Sequence, residues 1–257
     1  MKKLVVLLFA GTIAFSSCKK EAPVITGQSQ PAQPEKRLKQ ASQLNADGST
    51  EFDYFMYDAE GKLKEWRTQS FLFLFDYHTA GKLFVSKTNI QSGTIEMKYD
   101  CGLNSKGLVT KVEVKYPDGT LYGTYAYFYN ADDYVTGYAY VPVSGSGFSV
   151  QYTLINGNIT GHKQTNAASG KTYTATYSYL DGTRNTHNYT HAGYFPGNLF
   201  GKTSRNLIAV YHVKNEDGST SFRADHTYEL DGSGFLKKER IDYPMNGYWN
   251  EINYNFE

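Results

Sequence analysis

From about residue 50 onward the chain alternates. In residues 108–116, Leu108, Thr110, Val112, Val114 and Tyr116 share one phase, while Val109, Lys111, Glu113 and Lys115 share the other. Residues 222–230 repeat the pattern, with Phe222, Ala224, His226, Tyr228 and Leu230 set against Arg223, Asp225, Thr227 and Glu229. Residues 173–179 alternate aromatic or Ala with Thr and Ser. A period of two puts one face of a strand in a dry environment and the other in water. Residues 71–75, Phe-Leu-Phe-Leu-Phe, are apolar in both phases, and predict a strand covered on both faces, its outer one by the tether or a loop.

Turn signals punctuate these runs. Residues 57–63, Tyr-Asp-Ala-Glu-Gly-Lys-Leu, end one strand on an aromatic, turn through Asp and Gly, and start the next on an apolar residue. The same grammar closes at Gly81, Gly107, Asp133, Gly157 and Gly182, at intervals of 20 to 26 residues. A second set of turns lies between them, at 91–93, 117–119, 144–147 and 168–170. One turn falls about every 12 residues, leaving strands too closely joined to be anything but antiparallel neighbours. The expected fold is therefore all-β: an antiparallel up-and-down meander of tandem hairpins, with about 14 to 16 strands. A sheet that long closes, or nearly closes, into a barrel.

The rhythm fails once, over residues 185–207. That stretch has no clean alternation, and it sets aromatics beside polar residues around a Pro-Gly. A long irregular connection in a short-looped domain is either functional or a plug that packs aromatics into the barrel end. The ligand-binding candidates are His187, His191, Tyr194 and Phe195, which bring ring faces and hydrogen-bonding groups together.

The amino terminus has a different character. Lys2 and Lys3 precede an apolar run over residues 4–15, which is short for a membrane span, and Ser16 and Ser17 stand before Cys18. This resembles the lipobox of bacterial lipoproteins. The resemblance implies cleavage before Cys18, acylation of that residue and attachment to the outer membrane by its lipid, with the leaflet left open. Residues 1–17 are then a signal peptide, residues 18–47 a lipidated cysteine and tether, and residues 48–257 the β domain. Pro23, Pro31 and Pro34 among Gln, Ser and Lys suit an unstructured spacer, and residues 35–44 have the composition of a short helix.

Composition narrows the chemistry. With 26 Lys+Arg against 25 Asp+Glu, the chain has no field to attract nucleic acid. The 23 Tyr and 15 Phe suit pleated, half-buried surfaces. Beyond Cys18, Cys101 is the single remaining cysteine, so an intramolecular disulfide and a cysteine metal site are both excluded. His187 and His191 have a metal-pair spacing only on a helix, which their neighbours oppose. No nucleophile elbow, phosphate loop or dinucleotide fingerprint is present, and no cofactor or metal is expected.

The repeated hairpins, the lipobox and residues 201–207, Gly-Lys-Thr-Ser-Arg-Asn-Leu, together resemble a family of Bacteroides-type lipoproteins of unknown function with a porin-like β domain. The resemblance spans nearly all of residues 50–257 and implies no catalytic residues. Residues 57–63 are also similar to the YD repeat of Rhs-type shell proteins, but only in this one copy. The expected role is a non-enzymatic binding or structural module of the envelope, with a carbohydrate or an envelope protein as partner. The alternatives are a glycan hydrolase using carboxylates from distant strands, and an integral outer-membrane barrel.

Overall fold

The computed structural model describes residues 36–186, 195–196 and 198–257. Cys18, His187, His191 and Tyr194 lie outside the described residues. The strands are β1 (Leu38–Asn45), β2 (Thr50–Tyr57), β3 (Leu63–Arg67), β4 (Phe71–Asp76), β5 (Lys82–Asn89), β6 (Ile95–Leu103), β7 (Val109–Lys115) and β8 (Leu121–Tyr129). They continue as β9 (Val135–Pro142), β10 (Phe148–Ile155), β11 (Asn158–Asn166), β12 (Thr172–Arg184), β13 (Asn206–Lys214), β14 (Thr220–Leu230), β15 (Leu236–Tyr243) and β16 (Tyr248–Phe256). Each strand pairs antiparallel with its sequence neighbours, and β1 pairs with β16, so the meander is a closed barrel of sixteen strands. Closure leaves no unpaired edge.

The turns work as their sequences suggest. At residues 104–108 the Asn104 Oδ1 accepts hydrogen bonds from the Lys106 and Leu108 amides at 2.9 and 3.0 Å. Asn104 N–H bonds to the Leu108 carbonyl, and Gly107, at φ 79°, bonds back to Asn104. This is a tight turn with a Gly in the left-handed region next to a bulge. Asp58, Asn130 and Asp231 accept the same pair of amides in their own turns. Gly182 departs from the expectation: it sits inside β12, where the register with β13 is irregular between Tyr179 and Arg184.

Four tyrosines near the ends of strands have a task the pattern did not reveal. Each hydroxyl donates to the carbonyl at the start of a strand about twenty residues earlier: Tyr57 to Leu38 at 2.9 Å, Tyr129 to Val109 at 2.6 Å, Tyr179 to Ile159 at 2.5 Å and Tyr228 to Ile208 at 2.8 Å. Each bond ties one hairpin to the previous one at its bulge. Replacing Tyr129 with Phe removes one such tie and leaves the Val109 carbonyl in the core without it. A loss of about 1 kcal/mol is expected in urea unfolding, with the barrel otherwise intact.

Two sequence expectations change. Residues 38–45, assigned to the tether and in part to a short helix, form β1, which completes the ring between β16 and β2. Val109, placed in the wet phase, is fully buried, because the register shifts between Gly102 and Leu103 opposite it and moves it to the inner face.

The two faces of the wall differ. Inward residues such as Leu83, Val112 and Val135 are buried. Outward residues on one part of the wall are polar or charged: Lys98 and Asp100 on β6, Lys111 and Glu113 on β7, Lys163 on β11, Asp225 on β14, Arg240 on β15 and Glu251 on β16, whereas Phe52, Tyr54 and Met56 on β2, Phe84 on β5 and Phe128 on β8 are exposed apolar residues of the outer face. Lys111 pairs with Glu113 at 2.6 Å, and Lys115 with Asp100 and Glu113. Residues 71–75 have both faces apolar, but only Phe71, Phe73 and Phe75 point inward. Leu74 on the outside is 43% exposed, so the outer face of that strand is not covered as expected.

Candidate ligand site in the barrel lumen

Residues 195–196 and 198–205 close one end of the lumen. Phe195, Leu199 and Phe200 are buried, and Phe195 meets Phe75 and Tyr99 edge-on at 5.5 and 5.2 Å. Phe200 lies 4.7 Å from Tyr127 across the lumen. Ser204 is buried too. Its hydroxyl accepts the Ile159 amide at 3.1 Å and bonds Tyr179 at 2.8 Å. Lys202 N–H bonds to the Asp133 carbonyl, which docks the connection on the β8–β9 turn. Phe195 is therefore a core residue rather than part of an exposed platform. The reason is that ring faces on β4, β6 and β8 leave room at this end that only large side chains fill.

Away from that plug the inward residues become more accessible. The β8–β9, β10–β11 and β12–β13 hairpins present aromatic cross-strand pairs to the lumen: Tyr125 with Tyr140, Tyr127 with Tyr138, Tyr152 with His162 and Tyr177 with Tyr211. Tyr125 and Tyr140 stack at 4.5 Å, and Tyr177 and Tyr211 at 4.9 Å. Tyr127, near the plug, is 5% exposed, whereas Tyr125, Tyr138, Tyr140, Tyr177 and Tyr211 are half-buried and Tyr173 is exposed. His162 shares a 2.9 Å hydrogen bond with the Tyr177 hydroxyl. Burial lowers the pKa of His162, so its ring is neutral at pH 7, and burial raises the hydroxyl pKa values of Tyr138, Tyr152, Tyr177 and Tyr211. This wall thus carries no charge at neutral pH. It offers ring faces and neutral hydroxyls.

The other arc of the lumen is different. A cavity of about 300 Å³ lies against β14, β15, β16, β1 and β2. Glu239 is 7% exposed and accepts from His226 at one oxygen, 2.7 Å, and from the Tyr254 hydroxyl at the other, 2.6 Å. His226 on the dry face, packed and hydrogen-bonded, matches the sequence reading. Glu239 did not feature in that reading, although it shares a phase with Ile241 and Tyr243. Asp53 and Glu51 line the same cavity from β2. Burial, and secondarily the charge of Glu51, raises the pKa of Asp53, against the lowering effect of the Trp66 indole that donates to it at 3.3 Å.

Cys101 points inward from β6 and is fully buried, and burial pushes its thiol pKa up to about 12, which disfavours the reactive thiolate. Among the described residues no group of His, Cys, Asp and Glu has the geometry to hold a metal.

Neither a family model nor a curated protein matches this chain. Solved structures do, at the level of the fold, among them two porin-like proteins. A porin-like protein from Bacteroides vulgatus ATCC 8482 is 13% identical with a TM-score of 0.63, covering 86% of this chain and 99% of its own. A porin-like protein from Bacteroides uniformis ATCC 8492 is 16% identical with a TM-score of 0.66, covering 87% of this chain and 98% of its own, and the chain thus shares the barrel fold of these two proteins.

Proposed function

We propose that the chain is a non-enzymatic binding module of the bacterial cell envelope, held at the outer membrane by a lipid on Cys18, which receives a sugar chain at the tyrosine-lined mouth of its lumen. The observation that carries this reading is the wall of half-buried, uncharged tyrosines running from β8 to β13. Sugar rings present C–H faces that stack on aromatic rings, and hydroxyls that exchange hydrogen bonds with phenols. An exposed tyrosine ladder with no counter-charge suits that chemistry better than it suits an ionic ligand.

The polar outer wall supports a tethered barrel over an integral one. Cationic side chains at the bilayer midplane cost roughly 2–4 kcal/mol each. Lys98, Lys111, Lys163 and Arg240 stand near the middle of their strands on the outer face, whereas the exposed apolar residues Phe52, Tyr54, Met56, Leu74, Phe84 and Phe128 are confined to β2, β4, β5 and β8, so a bilayer around the whole wall would bury all four cations. Anchoring by Cys18 then accounts for membrane association without burial of the wall in lipid. The Cys18→Ala variant is expected to move from the membrane to the soluble fraction on cell fractionation. A variant that stays with the membrane refutes the anchor.

The hydrolase alternative has one feature on its side, the carboxylates of Asp53 and Glu239 around one cavity. Both oxygens of Glu239 are already hydrogen-bond acceptors, which suits a structural carboxylate more than a general acid.

A glycan array probed with the purified protein tests the binding reading. Binding to at least one glycan class is expected. Removing one ring of the stacked pair, by Tyr177→Ala or Tyr211→Ala, is expected to weaken it about tenfold, the equivalent of about 1.4 kcal/mol. Silence across the array, or unchanged affinity in both variants, refutes it.

A further inference from the structure

We propose that the cavity against β14, β15, β16, β1 and β2 binds a small organic cation, an ammonium group carried on a compact apolar body. The cavity holds about 300 Å³, at the small end of ligand sites; it reaches onto β13 through Leu207 and Ile208, but none of the tyrosines of the β8–β13 wall is among its lining residues. Its lining divides by chemistry. Ile208, Ile241, Ile252 and Leu207 give an aliphatic floor, and Tyr228 and Tyr254 contribute rings. Three carboxylates complete it: Glu239 from β15 and Asp53 and Glu51 from β2. No Lys or Arg is among the lining residues, and the one group able to carry positive charge, His226, is bonded to Glu239. The cavity is therefore net negative whichever state His226 adopts: a protonated His226 neutralises Glu239 and leaves Asp53 and Glu51.

The carboxylates are not equally satisfied. Glu239 accepts at both oxygens. Asp53 takes a hydrogen bond from Trp66 at 3.3 Å, and Glu51 a long one from Asn45 at 3.4 Å. A half-buried carboxylate with so little donation is stabilised by an incoming cation. Tyr228 and Tyr254 line the same cavity as Asp53, and aromatic ring faces attract cations. A neutral ligand of the same shape gains only the aliphatic floor.

Isothermal titration calorimetry with cyclohexylammonium and with its neutral counterpart cyclohexanol tests this. Saturable binding of cyclohexylammonium is expected, with cyclohexanol at least about tenfold weaker. Asp53→Asn is expected to weaken the cation about tenfold, and Glu51→Gln, at an exposed position that leaves folding intact, several-fold. Tyr211→Ala is expected to leave cation binding unchanged, so this result and the sugar result stand or fall separately. Equal binding of the two probes, no binding of either, or full affinity in both carboxylate variants overturns the proposal.

Discussion

Truncating Phe200 to alanine is expected to destabilise the protein by about 3–5 kcal/mol, a large share of the stability of an ordinary domain. The ring is fully buried and packs 4.7 Å from Tyr127 and 6.3 Å from Phe195. It is the hinge of the plug: Phe195 reaches β4 and β6 on one side, and Phe200 reaches β8 on the other. The wall around it is a ring of backbone ladders closed at β1 and β16, which cannot shrink onto the space left behind. The cavity term therefore stays close to its full size instead of relaxing away. Urea unfolding followed by near-UV circular dichroism reads this as a lower midpoint at an unchanged slope. A loss below about 1 kcal/mol would mean that the connection does not fill the barrel end.

The plug also marks where the sequence stops being informative. Turn chemistry and alternation are local, so the meander, the hairpins and the approximate strand number could be read from residues a few positions apart. Bulges break that locality. Val109 changes face because its neighbour Thr110 is the extra residue of a bulge opposite Gly102 and Leu103, and nothing in residues 108–116 announces the slip. Strand β1 escapes for another reason. Its residues Leu38, Lys39, Gln40, Ala41, Ser42, Gln43, Leu44 and Asn45 show no apolar alternation, since the inward Ala41 is small and the next inward residue, Gln43, lines the carboxylate-bearing cavity. It is a strand because two edges, β16 and β2, need a partner.

The two arcs of the lumen were legible to different degrees. The tyrosine wall is the inward phase of strands whose alternation was clear, although its tyrosines were counted as packing rather than as a surface. The acidic cavity had a visible signal: Asp53 shares a phase with Phe55, and Glu239 with Ile241, so each carboxylate sits where an apolar residue belongs. Their convergence was not visible, because β2 and β15 meet only through closure of the barrel. The 185–207 stretch was correctly singled out as the irregular segment, but aromatic density alone does not distinguish a platform from a plug. For Phe195 the answer comes from three rings on β4 and β6 that receive it.

Gly201→Ala is the second large effect, and it isolates how the plug is docked. Gly201 has φ 85°, in the left-handed region that an L side chain adopts only with strain of about 1–3 kcal/mol. A Cβ there would also stand 2.3 Å from the Asp133 carbonyl oxygen and 3.0 Å from a ring carbon of Tyr129. The carbonyl is backbone, held by the Lys202 amide at 2.9 Å, so it has no rotamer by which to retreat. Overpacking of this kind adds about 1–3 kcal/mol. The sum, about 3 kcal/mol or more, is expected to undock the connection from the β8–β9 turn as well as lower stability. Gly107→Ala supplies the control: it has a similar φ of 79°, but a Cβ there meets nothing within 4 Å. Only the backbone strain remains, and a loss of about 1 kcal/mol is expected. The comparison by urea unfolding separates the two causes. If both substitutions cost the same, the Asp133 carbonyl does not press on Gly201, and the plug is held by its buried rings alone.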